Sequence, residues 1–304
     1  GDVPEHLREF FSGGILLALG KGDKPGIRPI GNGDLFRKVV SRVLIKPKKK
    51  KLAHFFLTSY VNYKQFAIGV PGGVEKMHAA IKLAAGDPHR AGTGEADALP
   101  PDPPDQAIAV LQLDQVNAYC EVSRQHFFDT LAGVATSACP DAGIAAGAPL
   151  QCGRPPIGEA APFLASVYGG STTFVHHSRD GQTHKIDNTD GFHQGDVMGS
   201  LAFALATFPY LGQALAQDLK VCGFSLVDNT VLVGPIRNVF AMYARLKRVL
   251  ESLHLRLQPR DCFLHVPAWA HLSAPPPILD ELRAGDPRIR VLDHDRNHGL
   301  TAAL

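Results

Sequence analysis

A short polar turn near residue 228 constrains the fold of this chain more than any other feature of its sequence. Residues 224–234 read FSLVDNTVLVG, so the pair Asp228-Asn229 lies between two short runs of apolar and β-branched residues. Such a pattern is typical of two antiparallel strands joined by a tight turn. The segment therefore predicts a β-hairpin, and it places the carboxylate of Asp228 at the tip, where it can meet a metal ion.

A second carboxylate follows another predicted strand. Residues 107–113 form a nearly continuous apolar run that is followed by Asp114, which is the pattern of a buried strand. Asp114 and Asp228 can be neighbours only if their strands share one sheet. Such a pair suits Mg²⁺, which binds one or two carboxylates together with substrate phosphates. Aspartates at strand ends also serve as helix caps and turn formers, so spacing alone leaves both interpretations open.

The rest of the pattern alternates between helices and strands and predicts an α+β protein. Helical spacing of apolar residues is found in four segments, residues 34–44, 74–85, 201–215 and 243–253. Asp34 is a good N-cap for the first of them. The turn sequence at 178–181 predicts a second hairpin. Residues 86–106 are rich in Pro and acids without periodicity, so we expect an inserted loop there.

Composition narrows the class of protein. The chain has 304 residues, of which 45% are hydrophobic, enough to bury a full core in one large domain or two modest ones. No apolar run approaches the roughly 18 residues that a membrane helix needs, so we expect no membrane-spanning segment. The five cysteines never fall in a Cys-x-x-Cys spacing, which favours reduced thiols over a zinc site. Because the chain begins at Gly1, we expect a processed form or an excerpt of something longer.

Positive charge is concentrated near the start of the chain. Residues 1–64 hold 13 Lys and Arg against 5 Asp and Glu, whereas the remaining residues hold 18 against 24. The densest run is Lys46-Pro47-Lys48-Lys49-Lys50-Lys51. Its composition leaves three interpretations open, namely contact with a polyanion backbone, a nuclear-targeting patch or a solvated loop.

Four segments with distinctive residues follow one another in a set order. They are LGKGDKPGIRPIGNGDLFRKVV at 19–40, QLDQVNAY at 112–119, GFHQGDVMGSL at 191–201 and LVDN at 226–229. Together they resemble the motifs of reverse transcriptases of the non-LTR retrotransposon or group II intron kind, and the third is the most specific match. The resemblance covers most of the chain.

The resemblance implies roles for the residues that match each motif. Asp114 and Asp228 would bind Mg²⁺ and, with Asn229, form the catalytic centre. The positions that match the family's nucleotide-binding residues are Lys21, Arg28, Tyr119 and Gln194, of which Tyr119 would exclude a ribose 2′-hydroxyl. The basic side chains expected to contact a nucleic-acid backbone are Arg37, Lys38, Lys48, Lys49, Lys50 and Lys51.

The implied architecture is an α+β right-hand polymerase fold. It would have fingers and a ferredoxin-like palm with an antiparallel sheet, and its thumb would be absent or abbreviated. In this chain the fingers-like region would occupy residues 1–90 and a flexible insertion residues 91–106. The palm-like region would span 107–265, followed at 266–304 by a C-terminal extension or thumb remnant.

Two departures from the family pattern bear on activity. Asn229 supplies a neutral amide where the family has a second carboxylate, and Asp261 stands where a lysine is usual. Losing one acid weakens the attraction for a cation, and Asp261 cannot replace a lysine as proton donor to the leaving pyrophosphate. Arg260 is adjacent, but guanidinium groups are poor proton donors. We therefore expect an RNA-directed DNA polymerase domain whose activity is impaired or lost.

Two functions from different classes remain open. The first is template-directed nucleotidyl transfer by two-metal chemistry on RNA or an RNA/DNA hybrid, with Mg²⁺ as cofactor. The second is a non-catalytic subunit, without a metal, that binds RNA or other proteins in a larger ribonucleoprotein assembly such as an organellar ribosome. The enzyme would work in the nucleus or cytoplasm, whereas a recruited subunit could reside in an organelle.

Overall fold

Ten strands and nine helices are found in the described part of the chain. The computed structural model describes residues 12–20, 27–86, 103–104, 106–269 and 276–292. The strands are β1 Gly14–Gly20, β2 Ile27–Gly33, β3 Tyr63–Gln65, β4 Ile108–Leu113, β5 Thr172–His177, β6 Thr183–Asn188, β7 Cys222–Leu226, β8 Asn229–Pro235, β9 Phe263–His265 and β10 Arg290–Val291. The helices are α1 Leu35–Ile45, α2 Lys49–Thr58, α3 Gly73–Ala85, α4 Ala118–Glu121, α5 Arg124–Ala132, α6 Ala161–Tyr168, α7 Gly199–Leu215, α8 Ile236–Ser252 and α9 Ile278–Arg283.

The larger sheet has six strands in the order β10-β9-β4-β8-β7-β3. Its four central strands pair antiparallel, whereas β3 pairs parallel with β7 and β10 pairs parallel with β9. The expectation of an antiparallel sheet is thus met at the centre, but the sheet as a whole is mixed. Parallel neighbours need a long connection between them, and α3 to α7 lie between β3 and β7 along the chain.

The smaller sheet has four strands in the order β2-β1-β5-β6. The hairpin β1-β2 and the hairpin β5-β6 are antiparallel, and β1 joins β5 in parallel. The predicted turn at 178–181 lies between β5 and β6, as expected from its sequence. The protein is therefore an α+β fold with two mixed sheets.

Helix α7 forms the centre of the core. Every residue of α7 except Ser200 is buried, and a helix that is apolar on all sides belongs inside a protein. Helices α5 and α8 pack against it. No helix of the described segments is long and apolar enough to cross a membrane. No disulfide joins the five cysteines, all of which the structure describes.

Helix α1 begins where the sequence predicted. The Oδ1 atom of Asp34 accepts a hydrogen bond from the backbone N–H of Phe36 at 2.7 Å, which is the expected N-cap. The lysine run that follows is helical, because residues Lys46–Lys48 form a 3₁₀ turn that leads directly into α2. The solvated-loop interpretation of this run is therefore wrong.

Candidate active site

One open cleft collects most of the residues that the motifs singled out. It has a volume of about 630 Å³ and lies where β4, the β7-β8 turn and α4 meet. The predicted site residues that line it are Asp114, Tyr119, Gln194, Asp228 and Asn229. Ile27 and Pro29 of β2 line the same cleft and flank Arg28 in sequence. Lys21 and the side chain of Arg28 lie outside the described residues.

The register of the larger sheet brings the two carboxylates to the same place. Leu113 of β4 pairs with Thr230 of β8, so the same register continued by one residue sets Asp114 opposite Asn229. Leu226 of β7 pairs with Asn229 of β8, so Val227 and Asp228 form the two-residue turn between these strands. Asp114 and Asp228 are both half-buried. The site therefore depends on pairing between segments that are more than a hundred residues apart.

The backbone of Asp114 is held by the segment 258–262. Its carbonyl oxygen accepts a hydrogen bond from the N–H of Gln258 at 2.9 Å. Its own N–H donates to the Sγ atom of Cys262 at 3.4 Å. Burial raises the pKa of the Cys262 thiol to about 11, so the thiol stays protonated at neutral pH. The sequence indicated no such role for Cys262, since the contact depends on the pairing of β9 with β4.

The turn that carries Asp228 has a strained backbone. Val227 has a φ of 59°, which is unfavourable for any L-residue and more so for a β-branched one. On one side of the turn, the side-chain amide of Gln115 donates to the carbonyl oxygen of Asp228 at 2.9 Å. Strain of this kind persists only when the surrounding structure over-determines the conformation, and it is often found at functional sites.

Tyr119 forms a rigid wall of the cleft. Its ring stacks on Phe203 with centroids 5.1 Å apart and planes inclined by 22°, and its hydroxyl is 2.9 Å from the Oγ atom of Ser200. Burial raises the pKa of Tyr119 to about 12 against the effect of the Ser200 hydrogen bond, and the charge of Asp228 also raises it. Tyr119 is therefore a neutral aromatic side chain held at a set angle beside Asp228.

Gln194 connects the cleft to the smaller sheet. Its carbonyl oxygen accepts a hydrogen bond from the N–H of Gly31 at 2.9 Å, and Ile30 and Gln194 form an isolated parallel bridge. Gly195 follows with a φ of 96°, a conformation that favours glycine. This bridge holds β2 beside the cleft and so keeps the position of Arg28 close to it.

Asp261 adds a third carboxylate to the cleft lining. It ends the 3₁₀ turn Pro259–Asp261, lines the same cleft as Asp114 and Asp228, and accepts a hydrogen bond from the side-chain amide of Gln258. Even so, the described segments contain no group of three His, Cys, Asp or Glu side chains close enough to hold a metal ion together.

Arg37 does not have the role that its sequence position suggested. Its side chain is only 2% exposed, and its guanidinium pairs with the carboxylate of Asp196 and donates to the carbonyl oxygen of Ser12 at 3.0 Å. The hydroxyl of Tyr168 donates to the same carboxylate. The prediction that Arg37 contacts a nucleic-acid backbone is therefore wrong, because its charge is already neutralised inside the protein. Helical spacing alone did not reveal that α1 turns this polar residue inward.

The predicted backbone-contact lysines fall into two groups. Lys38 donates to the side chain of Asn32, and Lys48 forms an ion pair with Glu159. Lys49–Lys51 occupy the first turn of α2 with exposed side chains and no acidic residue in that turn, although Lys51 also helps Lys48 to lower the pKa of Glu159. Cations at a helix N-terminus are unfavourable, since the helix dipole is positive there. The helix itself therefore does not account for the placement of Lys49–Lys51, the basic strip, at its N-terminal end.

Solved structures with a similar fold include two yeast telomerases. The telomerase of Candida albicans with a fragment of telomeric RNA is 14% identical and has a TM-score of 0.51 over 86% of this chain and 44% of that one. An apo telomerase of Candida tropicalis, truncated from its C-terminal domain, is 12% identical with a TM-score of 0.50 over 87% and 51%. No protein-family model and no curated protein matches this chain. The chain thus spans about half the length of the telomerases whose fold it shares.

Proposed function

We propose that this chain is a reverse-transcriptase-like domain of the non-LTR or group II intron type that carries out template-directed nucleotidyl transfer on RNA at a reduced rate. The observation that supports the proposal most is the cleft lined by Asp114, Tyr119, Gln194, Asp228 and Asn229. These residues come from separate segments of the chain, yet all of them lie in the family's motifs, and all but Asn229 match the residue that the family has there. Binding of RNA agrees with the fragment of telomeric RNA present in one of the similar telomerase structures.

The donor atoms in the cleft fit Mg²⁺. Asp114 and Asp228 offer carboxylate oxygens and Asn229 offers an amide oxygen, all of them hard ligands of the kind that Mg²⁺ prefers. When bound, the ion would lower the pKa of the attacking 3′-hydroxyl and neutralise the negative charge that develops on the leaving pyrophosphate. The protein would contribute a wall at Tyr119 against a 2′-hydroxyl, a nucleotide contact at Gln194, and cations at Lys21 and Arg28 for the triphosphate.

The proposal assigns the domains of the right-hand fold to this chain. Residues 1–90 would be the fingers and would contain the smaller sheet's first hairpin and the basic strip of α2. Residues 107–265 would be the palm and would contain the carboxylates. Residues 91–106 would be an insertion between them, and residues 266–304 would be a C-terminal extension or thumb remnant.

Two residues explain why the rate would be low. Asn229 removes one negative charge from the site, and at an effective dielectric near 20 a charge about 4 Å away is worth roughly 4 kcal/mol before solvent screening. Asp261 sets a carboxylate where a general acid would otherwise protonate the leaving group. Like charge between Asp261 and pyrophosphate would oppose binding of the nucleotide.

A second candidate function is RNA binding without catalysis, in a larger ribonucleoprotein assembly that would contain other protein subunits. The observation that favours it is the basic strip Lys49–Lys51, whose lysines are exposed at an unfavourable end of α2. Phosphate contacts would offset that unfavourable placement. RNA binding without catalysis is compatible with Asn229 and Asp261 in place of the family's Asp and Lys, and it would not use Mg²⁺.

Primer extension separates the two candidates. Purified protein would receive a labelled DNA primer on an RNA template, dNTPs, and Mg²⁺ or Mn²⁺, with Asp114→Asn as the inactive control. Nucleotidyl transfer predicts weak extension that Asp114→Asn abolishes and that the double variant Asn229→Asp, Asp261→Lys increases. If neither the wild type nor the double variant extends the primer, catalysis is excluded. Tight RNA binding in the same preparation would then support the second candidate.

A further inference from the structure

Gln65 lies beside the catalytic turn although no motif pointed to it. It is the last residue of β3, is 1% exposed, and pairs in register with Ser225 of β7. Strand β3 ends at that point, so the strand pairing of β3 with β7 stops two residues before Val227. The side chain of Gln65 continues in the direction of the turn.

The amide of Gln65 binds both peptide groups of Val227. Its Oε1 atom accepts from the N–H of Val227 at 2.9 Å, and its Nε2 atom donates to the carbonyl oxygen of Val227 at 3.2 Å. Oε1 also accepts from the N–H of Ala67 at 3.1 Å. One side chain thus provides the donor and the acceptor that a neighbouring strand would otherwise provide. A primary amide can do this because it offers a donor and an acceptor on one planar group.

These contacts fall on the residue that is strained. Val227 holds a φ of 59°, and such a conformation needs external support to persist. Asp228 follows directly, and Gln115 holds its carbonyl oxygen at 2.9 Å. The turn is therefore held from two sides by side-chain amides, one on Val227 and one on Asp228.

We propose that Gln65 is a positioning residue for Asp228. By fixing the peptide groups of Val227, it sets the direction in which the carboxylate of Asp228 points into the cleft. The proposal rests on the proposed function, in which Asp228 and Asp114 hold a divalent cation. Gln65 itself does not line the cleft, so it acts through the turn and not on a ligand.

A neighbouring residue on the same strand provides a matched control. Tyr63 is 1% exposed and its hydroxyl is 2.9 Å from the Oγ atom of Ser225, which in turn lies 2.8 Å from the Oγ1 atom of Thr230. This chain of hydroxyls supports the stem of the β7-β8 hairpin and does not reach Val227. Tyr63→Phe therefore removes one buried hydrogen bond below the turn, whereas Gln65→Met removes two at the turn.

Two measurements on the whole chain test the proposal. The first is hydrogen exchange at the amides of residues 226–229, and the second is Mn²⁺ affinity from the electron paramagnetic resonance signal of free Mn²⁺. In Gln65→Met, exchange at Val227 is expected to rise by roughly tenfold, because two hydrogen bonds are lost. Mn²⁺ affinity is expected to fall by about tenfold, as is usual when a group that orients a metal ligand is removed. Tyr63→Phe is expected to change both by less than about twofold, because its effect is confined to the stem.

Three results would overturn the proposal. The first is unchanged exchange at the turn in Gln65→Met. The second is faster exchange with unchanged Mn²⁺ affinity, since Gln65 would then only stabilise the fold. The third is an equal loss of Mn²⁺ affinity in Tyr63→Phe. Equally weak Mn²⁺ binding by the wild type and Asp228→Asn would instead refute the proposed metal site itself, and with it the role of Gln65 in positioning Asp228 for a cation.

A second variant guards against a general loss of structure. Val227→Gly supplies a residue that adopts a positive φ without strain. In that background Gln65→Met should raise exchange less than it does in the wild type, because the turn no longer depends on the amide to the same degree. An equal or larger effect would contradict the link between Gln65 and the strain at Val227.

Discussion

Asn229→Asp should make the stability of this protein depend on divalent cations. Leu113 pairs with Thr230, and the same register continued by one residue sets Asp114 opposite Asn229. Residues that lie opposite each other in an antiparallel pair have Cβ atoms about 5 Å apart. Two carboxylates at about 5 Å repel each other by roughly 3 kcal/mol at an effective dielectric near 20. Because both positions are half-buried, solvent screening should reduce the loss of unfolding free energy to about 1–2 kcal/mol at low salt.

Urea unfolding at pH 7 in low salt, with and without Mg²⁺ or Mn²⁺, measures this effect. Asn229→Asp should unfold at a lower urea concentration than the wild type, and millimolar Mg²⁺ should reverse the loss because the cation binds only the folded chain. Asp114→Asn in the same chain should also remove the loss, since the repulsion needs both carboxylates. Equal stability of Asn229→Asp and wild type, or a loss that persists after Asp114→Asn, would refute the inferred register between Asp114 and Asn229.

Three further predictions concern other parts of the molecule. Arg37→Met should lower the unfolding free energy, measured by urea unfolding, by about 3–5 kcal/mol, because the Asp196 carboxylate stays buried without its partner. The double variant Arg37→Met, Asp196→Asn should recover much of this loss, and an equal loss in both variants would contradict a specific ion pair. Tyr119, with its pKa raised to about 12, should stay protonated at pH 10, so its contribution to stability is complete below pH 10 and is lost as the pH rises towards 12. An ultraviolet titration of the wild type and of Tyr119→Phe measures this ionisation, and ionisation of Tyr119 near pH 10 would contradict the prediction. Replacing Lys49–Lys51 with Gln should make the salt dependence of RNA binding shallower by about 2 in log-log slope, and an unchanged slope would exclude phosphate contacts there.

Local elements were predictable because their signals are local. The N-cap at Asp34, the helical spacing over 201–215 and the hairpin turn at 178–181 each depend on residues within one or two turns of the chain. The structure has helices or strands at all three places. The apolar run at 107–113 was readable as a buried strand for the same reason, since a central strand is covered on both faces.

The basic residues were predicted less well. The sequence places Arg37 in a positively charged region, yet its burial beside Asp196 depends on a residue far along the chain. Lys48 is likewise engaged by Glu159, whereas Lys49–Lys51 remain exposed. A sequence gives the number of charged residues, but only packing decides which of them face solvent.

The sequence by itself determined the types of element, their order and the residues capable of chemistry, since periodicity, capping and motif spacing act over short distances. Only the tertiary structure decided which of those residues meet. Asp114 and Asp228 share a cleft because β4 and β8 pair in one register, and a slip by one residue would turn the side chains to opposite faces. Gln65 reaches Val227 because β3 lies at the edge of the sheet beside β7. Contacts between segments so far apart depend on how the sheet assembles, which no local pattern records.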